Sequence, residues 1–209
     1  MNEMRADKGL AFMLQYENVA WYDAGAVRIL DRRVYPRRVE FVTCRTHVEV
    51  MQAIRDMVTQ SAGPYTAVPM GMALAAHECR GRTAAEQMEY LRKAAHTISH
   101  ARPTTVKRMA LLCDLCLAEA ERALAAGEDT AQAIVNKTVE LNNTRYERVA
   151  KIGKYLADLF PENGTVMTHC FAETIVGTML RECRNRGKNI RLFCPATRPY
   201  FQGARLTAS

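Results

Sequence analysis

Short runs of alternating apolar and polar residues, typical of β-strands, occupy the first part of the chain. Residues 19–22, 26–30 and 39–42 form such runs, separated by Asp23-Ala-Gly25 and by a turn at Pro36. Three short strands joined by turns predict a small antiparallel element, too short to be a domain.

Apolar residues then recur at helical spacing as far as residue 160. Thr46 with Glu49, and Thr83 with Glu86, have the spacing of capping boxes at helix starts. Gly63-Pro64 is expected to interrupt the pattern. The predicted helices cover residues 46–58, 67–79, 83–98, 103–126 and 130–160. Pro103 is expected in the first turn of the fourth helix. Asn142-Asn143 weakens the pattern of the last one, so a kink, or two helices, is left open there.

The last fifth of the chain is predicted to fold as strand, helix, strand over residues 164–170, 172–187 and 189–194. A βαβ unit has a right-handed crossover, so both strands end at one edge of a sheet, where open α/β sheets bind ligands. Cys170 and the loop 198–202 are therefore expected to converge on one cleft.

These elements predict an α + α/β fold. Residues 1–160 form an N-terminal β-hairpin and helical domain, and residues 161–209 begin a Rossmann-like parallel α/β domain. Two strands cannot make a buried parallel sheet, because both faces need cover and both edges need partners. We therefore expect the second domain to be truncated.

Charge and hydropathy narrow the function classes. The formal charge of +7 suggests an anionic partner, either a phosphorylated small molecule or a nucleic acid. Arg32-Arg33 and Arg37-Arg38 surround Pro36 without an RNA-binding signature, so we interpret them as a solvated hairpin tip and expect no nucleic acid partner. The charged N-terminus lacks a signal-peptide pattern and no apolar run is long enough for a membrane span, so we expect a cytoplasmic protein.

The seven cysteines are expected to be reduced in a chain without an export signal. Cys113 and Cys116 have CxxC spacing, but they lie within a helical pattern and have no second pair to complete a zinc site. We interpret them as small, half-buried helix residues, and we predict no metal site.

Three positions could carry chemistry. Cys170 follows a strand and precedes a helix, whose dipole favours a thiolate; the alternative is a buried structural cysteine. Arg102 precedes Pro103, and with a helix N-terminus it could hold a phosphate; the alternative is a surface arginine. Gln202, in the loop after the last strand, could hydrogen-bond sugar hydroxyls.

In this order the motifs resemble the sugar-phosphate isomerase family that includes methylthioribose-1-phosphate isomerase and the alpha, beta and delta subunits of initiation factor 2B. The resemblance covers roughly residues 18–209. It rests on Gly25-Ala-Val-Arg-Ile-Leu-Asp31, Ile54-Arg-Asp-Met-Val58, Gly71-Met-Ala-Leu-Ala-Ala76, Ala101-Arg-Pro-Thr-Thr-Val106, Val166-Met-Thr-His-Cys170 and Thr197-Arg-Pro-Tyr-Phe-Gln-Gly-Ala-Arg-Leu-Thr-Ala208.

The resemblance implies an aldose–ketose isomerase that interconverts a 5-substituted ribose 1-phosphate and its ribulose 1-phosphate, with hydrogen moving between C1 and C2. The first candidate substrate is 5-methylthioribose 1-phosphate. It implies that Cys170 is the catalytic thiol, that Arg102 binds phosphate and that Gln202 contacts substrate. The loop formed by Gln60, Ser61 and Ala62 is expected to bind the phosphate as well. An aspartate beyond residue 209 is the implied second acid/base group. No metal or organic cofactor is implied, and the family usually forms homodimers.

Three departures from the family pattern leave alternatives open. Gln60 stands where the family usually has arginine, Phe171 where asparagine is common, and Pro195-Ala196 where Asp-Glu is usual. Losing a charge-assisted bond to phosphate costs about 1.5–3 kcal/mol. The chain could therefore be a non-catalytic protein that senses a sugar phosphate or nucleotide, or that serves assembly, as in the initiation factor. The short segment after Cys170 also favours a ribose-1,5-bisphosphate isomerase.

Overall fold

The computed structural model describes residues 5–209, and its first sheet is antiparallel. A 3₁₀ turn (Phe12–Leu14) and a short helix α1 (Tyr16–Val19) precede the strands β1 (Ala20–Asp23), β2 (Ala26–Leu30) and β3 (Phe41–Cys44), which pair in the order β1-β2-β3. The antiparallel element is therefore confirmed. The third strand begins two residues later than predicted, because the chain after β2 stays in turns until Glu40 O accepts a hydrogen bond from Asp31 N.

Five helices build the main core. They are α2 (His47–Arg55), α3 (Pro64–Glu78), α4 (Ala84–Ser99), α5 (Val106–Ala126) and α6 (Thr130–Leu159). Helix α3 is buried along most of its length, and its small residues allow close packing. At Gly71, for example, an added Cβ would lie 2.9 Å from Val50 Cγ1. The close-packed, small-residue helix predicted from the sequence is present.

Two helix starts differ from the prediction, and α6 is one helix rather than two. The helical pattern is interrupted before Pro64 as predicted, but α3 starts at Pro64 itself rather than at residue 67, because the missing proline N–H removes no helical hydrogen bond at the first position. Pro103 lies outside α5, which begins at Val106 after a run of turns. Helix α6 continues through Asn142, whose buried side chain accepts a hydrogen bond from Thr66 Oγ1 at 3.2 Å.

A parallel strand–helix–strand unit follows α6. Strands β4 (Asn163–Met167) and β5 (Asn189–Phe193) pair in parallel on either side of helix α7 (Glu173–Asn185), so the predicted βαβ unit is confirmed. Helix α7 packs closely on α6: an added Cβ at Gly153 would lie 3.0 Å from Met179 N. Exposed and half-buried residues alternate along both strands, which leaves one face of this sheet open within residues 5–209.

Two apolar clusters organise these elements. The larger one joins the antiparallel sheet to α2–α6, and the smaller one joins the N-terminal turns to Tyr146 of α6, Phe171 and Leu206. Contacts therefore run from the helical part into the C-terminal unit. The Rossmann-like description and the division of the chain at residue 160 stay predictions. No helix within residues 5–209 is long and apolar enough to cross a membrane.

Candidate functional site

Cys170 lies in the turn between β4 and α7. Strand β4 ends at Met167, three residues earlier than predicted, and Thr168 N makes the last sheet-edge hydrogen bond, to Phe193 O at 3.0 Å. Cys170 has φ +56° and its side chain is partly exposed. A left-handed conformation at a residue other than glycine costs about 1–2 kcal/mol, so the surrounding contacts hold this turn in place.

The C-terminal segment packs against this turn. Thr207 Oγ1 donates a hydrogen bond to Cys170 O at 2.7 Å. Gln202 is half-buried directly before a turn of π-helix (Gly203–Thr207), and this turn ends at the threonine that binds Cys170. Gly203 has no room for a side chain, because an added Cβ would lie 1.8 Å from Pro195 O. Cys170 and the segment that carries Gln202 are thus brought together.

The loop of Gln60, Ser61 and Ala62 reaches the same turn from the helical part. Ser61 Oγ donates to Phe171 O at 3.0 Å, and Ala62 N donates to Glu173 Oε2 at 2.5 Å. The Gln60 amide donates within its own loop, to Met57 O at 3.2 Å. Each of these residues, which the resemblance implies bind phosphate, therefore has a donor that is engaged by a protein oxygen.

Arg32 is the largest fully buried side chain of the described residues, and it corrects the interpretation of its cluster as a solvated hairpin tip. Its Nη2 lies 2.8 Å from Glu173 Oε1, and its Nη1 donates to Gln60 O at 2.7 Å. Arg33, Arg37 and Arg38 are exposed as predicted. Arg32 differs because Glu173, at the start of α7, supplies a carboxylate that offsets the loss of hydration.

Arg205 is a second arginine that the sequence interpretation missed. Its Nη1 donates to Tyr35 O at 2.7 Å and to Arg32 O at 3.2 Å, and its Nη2 donates to Tyr200 O at 3.0 Å. It thereby ties the C-terminal segment to the turn after β2. The local sequence gives no signal for either arginine, since their partners are distant along the chain.

Arg102 is half-buried in the connection between α4 and α5. Its carbonyl oxygen accepts a hydrogen bond from Thr105 N at 3.2 Å. Within residues 5–209, no hydrogen bond or ion pair joins its guanidinium to Cys170, to Gln202 or to the 60–62 loop. The start of α5 nevertheless approaches that loop, because the Arg108 guanidinium lies 5.3 Å from the Tyr65 ring centroid.

Burial suppresses ionisation at several groups around the core. Desolvation raises the pKa of Tyr146 to about 12, and its hydroxyl donates to Leu14 O at 2.7 Å. Burial also raises the pKa of Cys113 to about 12 and that of Cys116 further still. The CxxC cysteines are therefore fully buried neutral thiols in α5, rather than half-buried ones. Within residues 5–209, no group of three or more acidic, histidine or cysteine side chains could hold a metal ion.

The Cys170 turn, the C-terminal segment and the 60–62 loop from Ser61 onward fall within one family match. Residues 61–209 match the initiation factor 2 subunit family. The chain belongs to this family.

Curated relatives of this family member carry an isomerase name. Methylthioribose-1-phosphate isomerase of Koribacter versatilis is 31% identical over 92% of this chain and 56% of its own length. The protein of that name from Thermotoga neapolitana is 30% identical over 93% of this chain and 57% of its own length. The chain thus spans little more than half the length of these relatives.

Solved structures confirm the fold of this family member. The delta subunit of translation initiation factor eIF-2B from A. fulgidus superposes with a TM-score of 0.76 and 28% identity, over 91% of this chain and 58% of that one. The 5-methylthioribose 1-phosphate isomerase of Pyrococcus horikoshii gives a TM-score of 0.70 and 25% identity, over 98% of this chain and 60% of that one. An initiation-factor subunit and an isomerase are thus both among its structural neighbours.

Proposed function

We propose that the protein is an aldose–ketose isomerase whose substrate is a 5-substituted ribose 1-phosphate. The first candidate substrate is 5-methylthioribose 1-phosphate. The observation that carries this proposal is the position of Cys170. Its partly exposed side chain lies in a turn that contacts both the C-terminal segment, through Thr207, and the 60–62 loop, through Phe171. The isomerase names of the relatives support the same reaction.

The reaction moves hydrogen between C1 and C2 of the opened sugar, so it needs a positioned group that releases and accepts a proton. A cysteine thiol does this when it is held against the substrate in a site that limits water. In our proposal Cys170 has this role, Gln202 contacts the sugar hydroxyls, and Arg102 and the 60–62 loop bind the phosphate. The aspartate implied by the family resemblance stays a prediction, and the reaction as proposed requires no metal or organic cofactor.

The test is turnover by the complete protein. Incubation with 5-methylthioribose 1-phosphate is expected to yield the ketose, and Cys170→Ser is expected to abolish turnover. Cys194→Ser is the matched control, because Cys194 is also partly exposed and directly follows β5. Full activity in Cys170→Ser, or equal losses in both variants, would reject the assignment of the thiol.

A second candidate is a non-catalytic protein that senses a sugar phosphate or nucleotide, or that serves assembly. The observation in its favour is that Ala62 N and Ser61 Oγ, two donors of the loop implied to bind phosphate, are engaged by Glu173 and by Phe171 O. Binding of ligand without turnover is expected in this case. Isomerisation of any ribose 1-phosphate would rule it out, and turnover of ribose 1,5-bisphosphate alone would identify the isomerase variant favoured by the short Cys170 turn.

We also propose that the protein is a cytoplasmic homodimer. The open face of the β4–β5 sheet exposes Met167 and Phe193, and an exposed sheet edge is a ready template for pairing. Sedimentation at micromolar concentration is expected to give a mass of twice the 23.5 kDa of the chain. A species at the mass of one chain would contradict this.

A further inference from the structure

Arg145 of helix α6 holds its guanidinium between two aromatic rings. Its Cζ lies 4.8 Å from the Tyr146 ring centroid and 5.6 Å from that of Tyr65, at the start of α3. The Nε and Nη2 atoms are buried, yet neither has a hydrogen-bond partner among residues 5–209. Aromatic faces attract a cation, but they leave its in-plane N–H groups without acceptors.

A second arginine approaches the same ring. Arg108 is exposed on α5, and its Cζ lies 5.3 Å from the Tyr65 ring centroid, so two guanidinium groups lie within 5.6 Å of one centroid. Neither of them forms an ion pair within the described part of the chain, although thirteen ion pairs form elsewhere in it. Two cations beside one ring, neither paired with a carboxylate, give this surface a positive potential that favours an anion.

Arg145 and Arg108 lie beside the 60–62 loop, and this position bears on which anion they bind. Tyr65 follows Ala62 by three residues, and in that loop Ala62 N already binds the Glu173 carboxylate. An incoming anion therefore finds Ala62 N occupied by an internal carboxylate, while the charges of Arg145 and Arg108 are not neutralised. A guanidinium group can donate two parallel hydrogen bonds to two oxygens of one phosphate, which favours a phosphoryl group over a halide.

We propose that Arg145 and Arg108, placed by Tyr65, form a binding site for a dianionic phosphoryl group. The ligand is either free phosphate or a phosphate monoester. The site supplies the cationic groups that a second phosphate on a sugar would require. It depends on neither the thiol chemistry of Cys170 nor the isomerase activity, so binding and turnover can fail separately.

Isothermal titration of the full chain tests this site. The probes are inorganic phosphate, ribose 5-phosphate and uncharged ribose, and the first two are expected to bind while ribose does not. Arg145→Gln and Arg108→Gln are each expected to weaken phosphate binding at least about tenfold, the effect of one lost charge-assisted hydrogen bond. Arg148→Gln is the control, because Arg148 is an exposed arginine of the same helix.

The arginine variants distinguish a loss of binding from a loss of folding. Arg108 is exposed, so its replacement is expected to leave the thermal unfolding midpoint unchanged and reports on binding even if Arg145→Gln perturbs the fold. Binding of ribose 5-phosphate but not phosphate would support the site and identify the ester as its ligand. The proposal is overturned if neither phosphate compound binds, if Arg108→Gln binds as the unmodified chain does, or if Arg148→Gln weakens binding equally.

Discussion

Replacing Glu173 with glutamine tests whether one buried ion pair joins the helical part to the Cys170 turn. Both carboxylate oxygens are used: Oε1 lies 2.8 Å from Arg32 Nη2, and Oε2 accepts from Ala62 N at 2.5 Å. A glutamine side chain offers one oxygen and one NH₂ group. Glu173→Gln therefore leaves either the arginine or the backbone N–H facing another donor.

The expected loss follows from burial of both partners. The side chains of Arg32 and Glu173 are 0% and 2% exposed, so water cannot replace the lost partner. Removing one member of such a buried pair costs about 3–5 kcal/mol of unfolding free energy. Urea unfolding followed by far-UV circular dichroism measures this loss. Glu182→Gln is the matched control, because Glu182 of α7 also pairs with an arginine, Arg186, directly after that helix. This pair lies at the surface, so a far smaller loss is expected.

A double variant shows whether the loss comes from the pair itself. Arg32→Met together with Glu173→Gln removes both charges, and the remaining glutamine oxygen can still accept from Ala62 N. The double variant is expected to lose less stability than the two single losses combined, because no buried charge remains unpaired. Equal losses in Glu173→Gln and Glu182→Gln, or strictly additive single losses, would show that the buried Arg32–Glu173 pair has no special part in stability.

Three further predictions concern other parts of the chain. Gly203→Ala is expected to lower the thermal unfolding midpoint, because the new Cβ would lie 1.8 Å from Pro195 O; an unchanged midpoint would contradict the close approach. Mass spectrometry after brief alkylation of the native chain is expected to find Cys170 and Cys194 modified and the five buried cysteines protected. Burial opposes ionisation of Glu78, but hydrogen bonds from a histidine and a tyrosine outweigh it and lower its pKa from the ordinary 4.5. Its contribution to stability is therefore present at neutral pH and is lost as the pH falls below 4.5, so Glu78→Gln should flatten the acid limb of a stability–pH curve.

Much of the fold could be predicted from local sequence patterns. The three antiparallel strands, the capping box at Thr83 and the parallel βαβ unit depend on residues close together in the chain. Local patterns left the outcome open where tertiary contacts decide it. Asn142 continues α6 because Thr66 of α3 satisfies its buried amide oxygen, and that contact is 76 residues away.

The candidate site was predictable only in part. Cys170, Gln202 and the 60–62 loop were proposed from motifs, and the structure brings the segments that carry them together. The buried position of Arg32 could not be predicted from its neighbours, because its carboxylate partner, Glu173, is 141 residues away along the chain. Four arginines around one proline look alike in sequence, and only the position of a distant acid distinguishes one from the other three.

The most direct test of the proposed isomerase function is an isomerisation assay of the protein on 5-methylthioribose 1-phosphate, with the Cys170→Ser and Cys194→Ser variants in parallel. Conversion to the ketose by the unmodified protein and by Cys194→Ser, with none by Cys170→Ser, is the expected result. Full-rate conversion by Cys170→Ser would contradict the central role of that thiol. Ligand binding without any conversion would assign the protein to the non-catalytic members of its family.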